Sequence, residues 1–308
     1  MKRRKFIQTG AWAFSGLLMA KSVHAGIFSD KKHGWPAGLQ LYTLGNLMTT
    51  DPQGTLQKLA AIGYKDIESA FSMKGGFYGL KPKEFAALLK DNGLVWQSHH
   101  VLGTPFKMPP GAKMPNGADG KPMTIPPKMR NLKDDAQELI DEVAEGGAPY
   151  LVCANIALGT GDEIKQAVEI LGKAGESCKK SGLTLCYHNH ESEFKAVDGM
   201  VPYDVLLTQL SADQLKMELD LGWATHSGND PVEIFKKNPG RFPLWHVKDI
   251  DKATGKPVEI GAGYIDYKRI FANASTAGMK HFFIEQDGAP KPFENIATSL
   301  SNLNNAVA

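Results

Sequence analysis

A chain of 308 residues, 42% hydrophobic and 22% charged, can bury a large core. Its formal net charge of +2, with no basic patch interleaved with aromatics, excludes nucleic acid and acidic membrane surfaces as expected partners. The length would allow two domains, but an α/β barrel of this size is commonly one.

The chain opens on Lys2-Arg3-Arg4-Lys5-Phe6, adjacent arginines followed by Phe, then an apolar stretch from Ala11 to Ala20 and a small-x-small sequence, Val23-His24-Ala25. Residues 1–25 therefore read as a twin-arginine-type signal peptide that directs a folded protein to the periplasm or otherwise out of the cytoplasm. The apolar stretch is too short to span a bilayer, so no membrane span is expected in the mature protein, residues 26–308. Cys153, Cys178 and Cys186 have no metal-like spacing and fall in apolar strands or on a helix. They are expected as small core residues without a disulfide.

The run 38–44 is the first predicted strand, and apolar residues at helical spacing over 55–62 end at Gly63. A second strand follows at 64–69, a helix at 82–92 ended by Gly93, and a third strand at 94–100 finishing in Ser98-His99-His100. Residues 101–132 then break the rhythm. Rich in Pro, Gly, Met and Lys, they have neither period and are expected as a lid or binding loop on the active-site side of a barrel. Helices at 134–145 and 161–180 flank a fourth strand at 150–156.

Four further strands are predicted at 183–190, 215–223, 242–250 and 281–288, separated by helices at 201–210, 231–237 and 267–277 and followed by one at 292–304. Eight strands, each followed by a helix, with no antiparallel hairpin signal, predict a single-domain (β/α)8 TIM barrel of the α/β class. A doubly wound sheet would need a glycine-rich phosphate turn after the first strand, and Thr43-Leu44-Gly45-Asn46 is not one.

At or near the C-terminal end of each of these last four strands stand groups that a core does not tolerate unpaired: His188 and His190, Asp220, His246, and Glu285. Alternation places His188 with His190, Glu218 with Asp220, and His246 with Lys248 on common faces. Mixed imidazole and carboxylate donors suit Mn, Co, Fe or Zn in the divalent state better than Mg or Ca. For one histidine a hydrogen-bonded core role would be favoured; four adjacent strands repeating the feature favour a metal site.

Gln40-Leu41-Tyr42, Leu219-Asp220-x-Gly222, His246-Val247-Lys248-Asp249 and Ile284-Glu285-Gln286 together resemble the xylose-isomerase-like barrel superfamily, which includes sugar epimerases, inosose dehydratases and exported sugar phosphate isomerase/epimerase-like proteins. The resemblance implies a metal held by Glu, Asp, His and Glu from the fifth to eighth strands. Asp220, His246 and Glu285 match the last three; His188 stands where the first glutamate is expected, and the sequence leaves open whether it or His190 is the fourth ligand. Glu285 is then the one carboxylate base at the reacting carbon, with His188 or His190 left to handle a second proton.

The expected activity is a metal-dependent isomerase or epimerase that removes a proton beside a carbonyl of an unphosphorylated sugar or keto-sugar. Glu285, His188 and Lys248 are its expected catalytic residues, and His99, His100, His190, Glu68 and Trp223 its substrate contacts. Lys248 would hold a substrate oxygen or developing enolate, with a salt bridge to Glu218 or Asp220 as the alternative role. A lyase or dehydratase acting on a keto-sugar or 3-keto-glycoside uses the same site. A non-catalytic exported sugar-binding protein would instead show stacked aromatics and no metal. The sequence leaves open whether the chain forms a homo-oligomer.

Overall fold

Successive residues of a strand face opposite sides of a sheet, and in this barrel the two sides carry different chemistry. The computed structural model describes residues 34–105 and 129–308. Its eight barrel strands are β1 (Gly38–Gln40), β2 (Asp66–Ser69), β3 (Val95–Leu102), β4 (Tyr150–Asn155), β5 (Thr184–His188), β6 (Lys216–Asp220), β7 (Leu244–Val247) and β8 (His281–Ile284). All neighbours are parallel, and β1 pairs with both β2 and β8, so the sheet closes. This is the (β/α)8 barrel that the alternating pattern predicts.

Outward-facing Leu39, Ile67, Leu151, Tyr187, Leu219, Trp245 and Phe282 join the helices in the large apolar core. Val152, Cys186, Leu244 and Phe283 form a separate small cluster. Cys186, Leu244 and Phe283 each precede by two residues a polar residue at the C-terminal end: His188, His246 and Glu285. This small cluster therefore plugs the lumen beneath the polar mouth, as barrel interiors require. The three cysteines are free and buried.

Local chemistry sets the element ends. The helices Pro52–Ile62 and Pro231–Lys237 begin with proline, which pre-sets φ, and the side chains of Asp51 and Asp230 accept from backbone N–H groups of the first turn. The run 38–44 stops being strand at Gln40, whose side chain accepts from the Tyr42 N–H and starts a 3-10 turn over Leu41–Leu44. The run 215–223 ends at Asp220, which caps the helix Leu221–His226 by accepting from the Trp223 N–H at 2.8 Å. Trp223 is thus on a helix rather than in a strand.

The run 242–250 divides after Val247. Asp249–Ile250 leaves the barrel and pairs antiparallel with Pro257–Val258, a hairpin that the predicted strand over 242–250 does not include. Asp249 organises the following loop, accepting from the N–H groups of Gly261, Gly263 and Ile265. The predicted helix over 267–277 is two short ones, Tyr267–Phe271 and Ala274–Ala277. The predicted leader lies outside the described residues, as does most of the predicted lid, which is described only at 101–105 and 129–132. No helix among the described residues is long and apolar enough to cross a membrane.

Candidate active site

His188 closes β5, Asp220 closes β6, His246 lies in β7 and Glu285 follows β8. One donor atom from each lies within 4.8 Å of the others, and all four residues are buried. Hydrogen-bonding partners fix the His246 ring: Nδ1 is 2.8 Å from Oε2 of Glu285, and Nε2 is 2.6 Å from Oε1 of Glu68. Burial disfavours charge on His246, but Glu218, Glu285 and Glu68 outweigh it and raise its pKa well above the ordinary value. His188 goes the other way: burial, then the nearby His246 first among its charged neighbours, push its pKa well down. Neutral imidazole is the form that donates a lone pair to a metal.

Lys248 lies across the mouth, with 1% of its side chain exposed. Its Nζ is 3.1 Å from Oδ2 of Asp220, 2.8 Å from Oε2 of Glu285 and 2.7 Å from Oδ2 of Asp287, and it sits 5.1 Å from the Trp223 ring centroid. Burial opposes the ammonium, yet these carboxylates hold its pKa well above the usual lysine value. Burial likewise opposes ionisation of Glu285, and Lys248 and His246 overcome it, leaving its pKa well below the carboxylate range. The expected salt bridge is therefore made to Asp220 and not to Glu218.

Beneath the mouth is a second layer. His100 Nε2 bridges Glu68 Oε1 at 2.9 Å and Glu218 Oε2 at 2.7 Å. Glu68 also accepts from Gln40 at 2.7 Å and from Ser98 at 2.5 Å. Burial opposes charge on His100, but Glu68 and Glu218 raise its pKa to about 9. Glu218, desolvated and beside the Glu68 charge, is pushed up to about 7. Glu68 and His100, expected as sugar contacts, are thus engaged with each other and with His246 below the mouth.

The two adjacent histidines at the end of the third predicted strand separate. His99 faces the barrel wall: its Nδ1 is 2.8 Å from the Ser69 hydroxyl, and its ring packs on Phe77 and near Trp96. This corrects the expectation of a lumen contact, because strand alternation allows only one of the pair to face inward. His190 lies just beyond β5, 41% exposed, its ring centroid 4.9 Å from that of His188. Trp223 is partly exposed at the mouth beside Lys248, while Trp245 is fully buried and stacked on Phe235.

Sequence reasoning missed Asp287 and Gln40. Asp287 stands two residues beyond Glu285, the same spacing that joined His246 to Lys248, and this was the signal that could have found it. Gln40 was visible only as a motif letter, since nothing in a sequence pairs it with Glu68.

The residues present fit a cation. Asp220 Oδ2 and His188 Nδ1 are buried without a hydrogen-bond partner. Lys248 and Glu218 approach these atoms to 3.1 and 3.2 Å, outside hydrogen-bond geometry. Among the described residues, Glu68, Asp220, Glu285 and Asp287 face Lys248, His100 and His246 as cationic groups, so the cluster is short of positive charge. The donor set of two imidazoles and two carboxylates suits a first-row divalent ion.

Residues 56–305 match the family described as "Xylose isomerase-like TIM barrel". An inosose dehydratase of Lacticaseibacillus casei is 27% identical over 156 residues, 44% of this chain and 52% of that protein. The chain thus spans about half the length of this curated relative. A sugar phosphate isomerase/epimerase from Parabacteroides distasonis ATCC 8503 is 27% identical and superposes with a TM-score of 0.70, covering 92% of this chain and 98% of that one. The structure of an L-ribulose 3-epimerase, 13% identical, shares the fold with a TM-score of 0.65, over 89% of this chain and 94% of its own.

Proposed function

Because the chain belongs to the xylose isomerase-like TIM barrel family, we propose that it is a divalent-metal-dependent sugar isomerase or epimerase that removes a proton beside a carbonyl. The observation that carries this reading is the group at the strand ends: Glu285 and Asp220 share the Lys248 ammonium, and neutral His188 stands within reach of both carboxylates. His188, Asp220, His246 and Glu285 would hold the ion, which would act as a Lewis acid that acidifies the C–H bond next to the carbonyl.

The chain's own residues do the remaining work. Glu285 is the carboxylate placed to accept the proton, and Lys248 at the same oxygen atom is placed to donate a hydrogen bond to an oxygen that gains charge. Glu68 orients His246 by accepting at Nε2, which turns Nδ1 toward Glu285. Return of the proton to the neighbouring carbon gives isomerisation, and return to the opposite face gives epimerisation. The second face needs another acid, and His190, partly exposed beside His188 with its Nδ1 3.6 Å from Oε1 of Glu193, is the imidazole placed for it.

The substrate is an unphosphorylated sugar or keto-sugar. Lys248 at the mouth is already shared by Asp220, Glu285 and Asp287, so it is not a free cation for a phosphate. Elimination is the second reading, favoured by the inosose dehydratase relative and by the single carboxylate base. There the same proton leaves to Glu285 and a β-hydroxyl or glycosidic oxygen departs with a proton. Incubation with Mn2+ and a panel of ketohexoses, an inosose and 3-keto-glucosides, followed by NMR, tests both. A new isomer or epimer supports the first, an unsaturated product supports the second, and no turnover of any member contradicts them together.

Export by the twin-arginine route completes the proposal, resting on Arg3-Arg4 and the Val23-His24-Ala25 site. Replacing both arginines by lysine should leave the protein in the cytoplasm with its leader intact. Unchanged processing and location in that variant would refute the route.

A further inference from the structure

Lys248 and Asp287 stand in an unusual relation to the candidate ligands. The ammonium is set against Asp220 and Glu285, the two carboxylates of the quartet, at 3.1 and 2.8 Å. Oε2 of Glu285 already faces both Lys248 Nζ and His246 Nδ1 at 2.8 Å. A divalent ion bonds carboxylate oxygen directly, at about 2.0–2.2 Å for zinc, and a doubly charged ion and an ammonium repel strongly at such range in a buried site. Both cations cannot hold the same oxygens in their present places.

The structure also shows where the lysine can go. Its shortest contact, 2.7 Å, is to Oδ2 of Asp287, which is outside the quartet and 36% exposed. Its contact with Asp220 is the loosest of the three, and Asp220 Oδ2 makes no hydrogen bond. The Trp223 ring lies 5.1 Å from Nζ and gives the moving charge an aromatic face.

We infer that Lys248 is a displaceable internal counter-ion for the metal site and that Asp287 is its receiver: the ammonium neutralises Asp220 and Glu285 until the divalent ion enters, then passes to Asp287. This rests on the metal reading above and adds that Lys248 opposes metal binding while Asp287 supports it through Lys248. Asp287 is thereby a positioning residue for the site rather than a ligand.

Calorimetric titration of the chelator-stripped protein with Mn2+ tests this without any substrate. Lys248→Met should bind Mn2+ about tenfold tighter or more, and Asp287→Asn about tenfold weaker, because the ammonium then has no receiver. In the Lys248→Met background, Asp287→Asn should cost much less than it does alone, a coupling that a double-mutant cycle reads directly. Loss of the buried ammonium will lower the melting temperature of metal-free Lys248→Met, and Mn2+ should raise that temperature by more than it raises wild type's.

Lys248→Met binding no tighter than wild type, or Asp287→Asn costing as much in both backgrounds, would overturn the inference while leaving the metal site standing. If wild type takes up no Mn2+ and Lys248→Met takes up one ion, the lysine blocks the site without giving way to the ion, and displacement to Asp287 is overturned. If neither takes it up, the metal reading falls and this inference with it.

Discussion

Nζ of Lys248 lies 2.8 Å from Oε2 of Glu285, inside the group of residues expected to hold a divalent ion. This contact sets the acid–base character of the mouth. It keeps Glu285 ionised despite burial, and it ties the proposed base to a donor that can follow the substrate oxygen.

Asp220→Asn should separate metal binding from folding. The amide oxygen can still cap the Trp223 N–H, and Lys248 keeps Glu285 and Asp287 as partners. Loss of the cap would otherwise cost about 1 kcal/mol. We expect a folded protein whose metal affinity falls by roughly 100-fold or more, since even outer-shell changes cost 10–100-fold. Elemental analysis after dialysis checks this, and wild-type metal content in the variant would misplace the site.

Gly222→Ala should disturb the mouth without touching a charged group. A Cβ there would lie 2.3 Å from the carbonyl oxygen of Lys248 and 3.2 Å from the Lys248 Cβ. The backbone must shift, and overpacking of this kind costs about 1–3 kcal/mol. A lowered melting temperature together with weakened Mn2+ binding is expected; a variant equal to wild type in both would mean that the close approach does not hold Lys248 in place.

His99→Gln should make the protein more resistant to acid. Burial, and then the nearby charge of His100, push the His99 pKa down to about 3 from an ordinary 6.5. Below pH 6.5 the unfolded chain binds a proton there that the folded chain refuses until about pH 3, so stability is lost as the pH falls through that window. The slope is at most ~1.4 kcal/mol per pH unit. Glutamine cannot titrate, so urea denaturation at pH 7 and pH 4.5 should show a smaller difference for the variant. An equal difference would show that His99 titrates normally and is not enclosed.

His188→Glu restores a carboxylate where the superfamily resemblance implies one, and it should raise epimerisation relative to elimination. Product ratios by NMR in D2O on a substrate that wild type turns over give the measure. If wild type already exchanges the proton on both faces with no histidine-like limb in its pH–rate profile, the substitution of His188 for glutamate has no such consequence.

Barrel closure and the gathering of His188, Asp220, His246 and Glu285 were legible because period-2 alternation and strand ends are local properties of the chain. The choice between His99 and His100 was not, since alternation says that the two differ but not which faces inward. The deeper layer was also hidden: Glu68 meets His246 across 178 residues, and a sequence does not show such a pairing. The hairpin of Asp249–Ile250 with Pro257–Val258 turns on Asp251, which accepts from the Thr254 N–H, and on Gly255 at positive φ; these local cues follow a run that reads as one strand over 242–250.

The most direct test of the proposed chemistry is deuterium exchange in D2O with Mn2+ present, read by NMR at the carbon next to the carbonyl of each keto-sugar in the panel. Wild type should wash deuterium into that position of at least one member, and Glu285→Gln should slow this at least ~100-fold, the lower range for loss of a positioned general base. Chelator treatment should abolish the exchange and Mn2+ restore it. Exchange that persists undiminished in Glu285→Gln, or product formation by wild type with no deuterium at that carbon, would contradict proton abstraction by Glu285.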